Sequence, residues 1–398
     1  MTQQTQQKRE LSFENTEIAF RSKSNEDLNK AYWLFKIIGS NFLTKIGPPV
    51  TNFALRIGLP ITGIIRNTIF NHFCGGETIE GCIPAIERLA SQRVGTILDY
   101  SVEGEDAEAV FDGTCDEILR TVEHAKTDPN ISFSVFKPTG LGRFALFEKI
   151  DAGGPLSEEE AQEYSRVRQR VERICKACYD NGVRVLIDAE HSWIQDAIDD
   201  IAREMMQRYN RDAPIVYNTY QLYRRDKLAS LKADYYLAET DGFFLGAKLV
   251  RGAYMEIERE RALEYGYDSP IQPDKAASDR DYDAAIVFCL DHIDRIGFMA
   301  GTHNEGSSRL LAEEMDKRRL PHNHSHIHFA QLLGMSDNLS FNLAEAGYNV
   351  AKYMPYGPVK AVMPYLFRRA QENTSVAGQT SRELSLIAKE KKRRKSNR

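Results

Sequence analysis

The chain has 398 residues, 42% hydrophobic and 27% charged, so it can bury a sizeable core. A formal net charge of −5 excludes the basic character expected of a nucleic-acid binder. Six cysteines in a chain this long, without an export signal, fit a reducing compartment.

In chain order, Met1–Gln7 lacks both the apolar core of a signal peptide and the Arg-rich pattern of a transit peptide. The most apolar stretch, residues 46–73, is interrupted by Arg56, Arg66 and three prolines. It therefore cannot supply the ~20 uninterrupted apolar residues of a membrane span, and a soluble protein is expected. Residues 1–93 show no strand pattern and read as an N-terminal helical arm, with helices clearest over 24–36 and 83–92.

From residue 94 onward, short β-rich apolar runs alternate with longer amphipathic segments. The runs are 94–101, 131–139, 184–190, 214–221, 244–252, 297–304, 326–334 and 349–357. Between them lie helical patterns such as 157–181. There Ser157 is the expected N-cap, Glu160 completes a capping box and Gly182 follows the end. Strand–helix alternation implies parallel strands with right-handed crossovers. Eight units predict an α/β fold closing as a (β/α)8 TIM barrel over residues 94–380; an open doubly wound sheet would also alternate.

The ends of these runs carry the chemistry. They place Lys137, Asp188 to Glu190, Asn218 to Gln221, Lys248 to Gly252, and Thr302 to Asn304 at strand carboxyl termini, the face where barrels keep active sites. Lys248 and Arg251, with the small-residue turn Gly252-Ala253, suit a planar or phosphorylated cofactor approaching the backbone. After the last run, Tyr365, Arg368 and Arg369 share a helix face with Glu372. Two guanidiniums beside an aromatic ring suit a small carboxylate, although a surface helix with an Arg–Glu pair has the same spacing.

Other motifs carry less. Cys175-Lys176-Ala177-Cys178 lies mid-helix with no second such pair, which disfavours zinc. Gly140-Leu141-Gly142-Arg143-Phe144-Ala145 imitates a dinucleotide fingerprint but lacks the acidic strand end that should follow. His322, His324, His326 and His328 alternate as on one strand face and would suit a metal, yet they lie at the end of the barrel that serves stability. Residues 381–398 read as a basic, disordered tail that can touch anionic lipid.

Taken together, Lys-Leu-Val-Arg-Gly-Ala-Tyr at 248–254 and residues 188–190, 218–221, 302–304, 329–335 and 353–373 resemble the proline dehydrogenase family. The likeness runs in unbroken order over about 94–376. The resemblance implies a distorted (β/α)8 barrel containing FAD. Such an enzyme converts L-proline to 1-pyrroline-5-carboxylate, the first step of proline catabolism to glutamate, and passes electrons to a membrane quinone. Pyrroline-5-carboxylate dehydrogenase is the implied downstream partner. The implied location is cytoplasmic, peripheral at an inner membrane, and mitochondrial in a eukaryote.

By motif, Lys137, Arg368 and Arg369 would hold the substrate carboxylate, with Tyr254, Tyr353 and Tyr365 around the ring. Ala189, Gln221, Lys248, Arg251, Gly252, Ala253, Thr302, His303, Asn304 and Glu372 would line FAD. Asp188 and Lys248 would be the catalytic pair, with Asp188 or solvent taking the amine proton. Lys248 stands where many bacterial members carry Arg. Alternatives are hydroxyproline oxidation, which the bulk of Tyr353 opposes, a metal-dependent barrel hydrolase using the histidines, and a non-catalytic binding module.

Overall fold

The structure is a computed structural model that describes residues 11–38, 62–101, 106–375 and 379–396; the side chains of residues 62, 64 and 370–380 lie outside the described set. Eight strands close into one barrel in sequential order. They are β1 (Val94–Tyr100), β2 (Ile131–Phe136), β3 (Arg184–Ile187), β4 (Val216–Gln221), β5 (Leu245–Val250), β6 (Ile296–Gly301), β7 (Ile327–Leu332) and β8 (Val350–Tyr356). Every pairing is parallel, and closure is made by β1 on β8, in register from Val94↔Val350 to Tyr100↔Tyr356. The open doubly wound alternative is therefore excluded. Each strand starts within two residues of its expected run; Lys137, Asp188 and Thr302 follow their strands directly, whereas Asn218 to Gln221 and Lys248 lie towards the carboxyl ends of β4 and β5 themselves.

The helices used below are α1 (Asn25–Ile38), α2 (Ile79–Ala90), α3 (Glu108–Thr127), α4 (Phe144–Asp151), α5 (Glu158–Asn181), α6 (Ser192–Tyr209), α7 (Lys227–Asp241), α8 (Met255–Tyr265), α9 (Lys275–Asp291), α10 (Glu305–Lys317), α11 (Asp337–Glu345), α12 (Met363–Ser375) and α13 (Gln379–Ser396). The crossover α5 shows why the sequence folds this way. Ser157 and Glu160 form the reciprocal capping box, and Gly182 ends the helix at φ 66. Val167, Val171, Ile174, Cys175 and Cys178 recur at helical spacing and are buried against the barrel. Each such aliphatic side chain contributes about 1.5–3 kcal/mol, so Ile174→Ala is the single change most damaging to this docking.

Three apolar clusters result. One lies between strands and outer helices. A second fills the barrel interior, with Ile97, Phe133, Leu186, Tyr217 and Met299 at its centre. The third forms a cap where Phe20 and Phe35 of the arm meet Phe73, Leu366 of α12 and Leu386 and Ile387 of α13.

One expectation changes here, and three minor motifs find their places. The tail is not disordered over 379–396: it is α13, with Leu386, Ile387 and Glu390 buried. Glu390 accepts from Arg393, Arg394 and Thr16, and Arg394 also donates to the Phe20 and Lys23 carbonyls, so part of the basic run is consumed internally. Of the four alternating histidines only His328 lies in β7. His322 binds the Ala346 carbonyl and Asp316, and His326 binds the Ile293 carbonyl. No cluster of three or more potential metal ligands occurs among the described residues. Cys175 and Cys178 are buried thiols whose pKa is driven up by burial. Gly142 of the false fingerprint is a packing glycine, since a Cβ there would lie 2.3 Å from Val167 Cγ2.

Candidate active site

The carboxyl ends of the strands open into a cavity of about 640 Å³, within the ~300–1,000 Å³ usual for cofactor and substrate sites. Its wall contains Lys137, Asp188, Ala189, Gln221, Lys248, Arg251, Gly252, Ala253, Tyr254, Thr302, His303, Asn304, Tyr353, Tyr365, Arg368 and Arg369. Sixteen residues proposed from strand ends, one helix face and the family likeness thus meet in one place. The remaining candidate, Glu372, is on α12, but its side chain lies outside the described residues.

At the floor, Asp188 follows β3 and is held from three sides. Lys248 Nζ lies 2.6 Å from Oδ1, Tyr353 Oη donates to Oδ2 at 2.5 Å, and Lys137 Nζ is 3.7 Å away. Burial alone would raise this carboxyl, but Lys248 and Lys137 outweigh it and keep Asp188 below the ordinary carboxylate range. Burial and the neighbouring Asp188 charge push the Tyr353 phenol well above its ordinary value, so it stays a hydrogen-bond donor. Lys248 also sits 4.5 Å from the centre of the Tyr353 ring. The result is a rigid, charge-assisted platform of two strand-end cations, one carboxylate and one phenol.

On the roof, α12 brings Tyr365, Arg368 and Arg369 to the cavity. Arg369 is 7% exposed, and its guanidinium lies 5.1 Å from the Tyr365 ring centre. One side wall is the turn after β5. Gly252 adopts φ 136, and a Cβ there would come within 2.4 Å of the Tyr223 ring, so only glycine fits. Arg251 is fixed by Asp279 at 2.7 Å, Thr302 at 2.9 Å and Ser307 at 2.9 Å, and stacks 4.3 Å over Tyr282. Tyr254 packs on His191 with ring centres 4.3 Å apart. Asn304 spends its side-chain oxygen capping α10, accepting from Ser307 N at 3.0 Å, so it offers that helix's N-terminus to the cavity more than its own carbonyl.

The fit of a dinucleotide cofactor can be tested on these groups. Gln221 donates from Nε2 to the Glu190 carbonyl at 3.0 Å, and its buried Oε1 has no hydrogen-bond partner among the described residues. A buried acceptor is costly unless a donor arrives. Arg251, Lys275 and the start of α10 supply positive potential for phosphates at the same side. An amide acceptor, a close-approach turn and a cationic rim fit a flavin dinucleotide.

The sequence reading missed several wall residues. Asp99 lies one residue before the end of β1, is 2% exposed and accepts from Ser101 at 2.6 Å, with Lys137 3.5 Å away. Its signal was available, a polar residue near the end of the first apolar run. Ser336, Arg382 and Glu383 also line the cavity. They come from the turn before α11 and from α13, where basic composition hid the apolar spacing of Leu386 and Ile387.

A sequence model of the proline dehydrogenase family matches residues 82–382. The chain is 32% identical to proline dehydrogenase 1, mitochondrial, of Dictyostelium discoideum, over 96% of this chain and 74% of that one. It is 35% identical to the carbapenem antibiotics biosynthesis protein CarD of Pectobacterium carotovorum subsp. carotovorum, over 83% and 86%. Among solved structures it superposes with a TM-score of 0.71 on proline utilization A from Bdellovibrio bacteriovorus, covering 90% of this chain and 38% of that one. At 19% identity, that likeness speaks to the fold. The barrel, the match over most of the chain and these relatives agree: the chain belongs to the proline dehydrogenase family.

Proposed function

We propose that this enzyme of proline oxidation binds FAD in the cavity, produces 1-pyrroline-5-carboxylate and delivers electrons to a membrane quinone. The observation that carries the reading is the joint placement of two helix-borne arginines, a strand-end lysine and an aromatic pair around one pocket that also presents a donor-seeking amide. When bound, the flavin supplies the hydride acceptor.

The residues then divide the work. Arg368 and Arg369 grip the substrate carboxylate as planar forks, and Lys137 adds a point charge from the opposite wall. Tyr353 and Tyr365 flank the ring and exclude water from it. Asp188 is too well stabilised to be a good base, so it orients Lys248 and Tyr353, and the amine proton leaves to solvent. Lys248 and Arg251 place positive charge beside the cofactor, where reduction adds negative charge.

The imine product would pass to pyrroline-5-carboxylate dehydrogenase. The quinone places the enzyme at an inner-membrane surface, mitochondrial in a eukaryotic host; no helix of the described residues is long and apolar enough to cross a membrane. The purified protein should be yellow, and L-proline should bleach its oxidised-flavin bands in the absence of oxygen. A preparation that stays colourless after incubation with FAD would sink the reading.

A further inference from the structure

The last helix enters the cavity wall. Arg382 and Glu383 of its first turns both line the cavity, while Leu386 and Ile387 anchor it in the cap. Glu383 is 4% exposed. One carboxylate oxygen accepts the Ser336 backbone N–H at 2.5 Å. The other makes no hydrogen bond to a described residue, and the carboxylate has no ion pair among them.

What Glu383 holds is itself part of the wall. Ser336 stands at φ 49, a left-handed conformation uncommon outside glycine, asparagine and aspartate. Its hydroxyl lies 2.9 Å from His303 Nδ1. Burial, reinforced by Lys352 and Arg369, pushes His303 down to about 3, so a neutral imidazole faces the cavity. A carboxylate thus pins a strained turn, and the turn aims a ring.

Glu383 lines the cavity, so this second oxygen can accept from a donor on a molecule bound there. Neighbouring charges do not supply it. Asp337 lies between Lys23 at 2.7 Å and Lys352 at 3.0 Å, which consumes both lysines, and Arg382 is clamped by Glu305 and Glu14. A phosphate is disfavoured beside two acidic side chains, whereas a hydroxyl donates without charge conflict. Within a flavin dinucleotide the hydroxyl donors are the ribityl chain and the ribose.

We propose that Glu383 is a cofactor-binding residue supplied by the C-terminal helix, its free oxygen accepting a sugar hydroxyl of the flavin dinucleotide while its other oxygen fixes Ser336 and, through it, His303. Glu383 lies one position beyond the stretch matched to the family. The inference rests on the flavin reading above.

The test uses the full-length chain stripped of flavin, as wild type, Glu383→Ala and Glu383→Gln. Riboflavin, FMN and FAD are titrated by fluorescence quenching, and the melting temperature of each cofactor-free protein is measured alongside. Glu383→Ala should weaken FAD binding at least ten-fold without a matching loss of apoprotein stability. A ribityl contact weakens all three flavins by the same factor, and a ribose contact weakens FAD alone; either result supports the proposal. An FAD affinity in Glu383→Ala within two-fold of wild type would overturn it. So would a loss that tracks apoprotein stability and is fully restored by Glu383→Gln, which marks a structural bond to Ser336 only. If wild type takes up no flavin, the flavin reading falls and this inference with it.

Discussion

At the residue scale, the site was legible because a barrel converts a one-dimensional pattern into a ring. A polar side chain at the carboxyl end of each apolar run must face the same opening, whatever lies between the runs. Lys137, Asp188, Gln221, Lys248 and Thr302 were found on that argument, and Asp99 obeys the same rule. What strand ends could not reveal is who pairs with whom. The Tyr353–Asp188 bond joins residues 165 positions apart, and only closure of β8 onto β1 brings them together. The arginine pair gives the sharpest test. A guanidinium fork on a carboxylate, desolvated under Tyr365, should be worth about 2–4 kcal/mol, against about 0–1 for an exposed pair. Lysine keeps the charge but loses the fork, so Arg368→Lys and Arg369→Lys should each raise the KM for proline at least ten-fold with flavin content near wild type. Steady-state kinetics with flavin occupancy measured in parallel decides it. Unchanged kcat/KM in both variants would remove the arginines from the substrate site, and loss of flavin would reassign α12 to the cofactor.

At the element scale, strands and crossover helices were readable from period, caps and glycines, because each signal is local. The C-terminal helix was not. Its charge made it look like a solvated end, and its stability comes from partners more than 350 residues away, such as Thr16 and the Phe20 carbonyl. Docking of α13 should also be linked to protons. Burial first, then the charge of Asp337, pushes Glu383 from the ordinary 4.5 to about 7. Below pH ~4.5 both folded and unfolded chains hold this proton, and the contribution to stability is fully present. Between there and pH 7 the unfolded chain releases it first, so stability falls as pH rises, by up to about 3 kcal/mol over that window. Above pH 7 the slope from this group ends. The cofactor-free wild type should therefore lose melting temperature from pH 5 to 7 relative to Glu383→Gln, with the two running parallel at higher pH. Parallel curves across the whole range would show that Glu383 enters the wall already ionised.

At the scale of the whole molecule, the cavity lies between two bodies of packing. The barrel supplies the floor, and the cap supplies Arg368, Arg369, Arg382 and Glu383 from above. Sequence period predicted the barrel and the arm helices separately, but nothing local says that arm, α12 and α13 share a core. The two clusters should consequently respond differently to flavin. Phe73 is fully buried in the cap and stacks edge-on against His72, with ring centres 4.7 Å apart; His72 in turn donates from Nε2 to the Gly334 carbonyl at 2.9 Å, beside the cavity residues Met335 and Ser336. Phe73→Ala should cost about 3–5 kcal/mol, concentrated in the cap, and loosen the roof before the barrel melts. Ile198→Ala, in the outer barrel core on α6, should cost about 2–5 kcal/mol without touching the cavity. A ligand that binds only the closed state adds RT ln(1 + [L]/Kd), about 2.7 kcal/mol at 100 times Kd. Melting curves taken across an FAD titration should then show Phe73→Ala with a weakened Kd and a smaller stabilisation than wild type at each FAD concentration, so that its deficit widens as FAD is added. Ile198→Ala should keep the wild-type Kd and stay displaced by a constant amount. If both variants shift in parallel with FAD, cap and barrel form a single cooperative unit, and the roof has no independent hold on the cofactor.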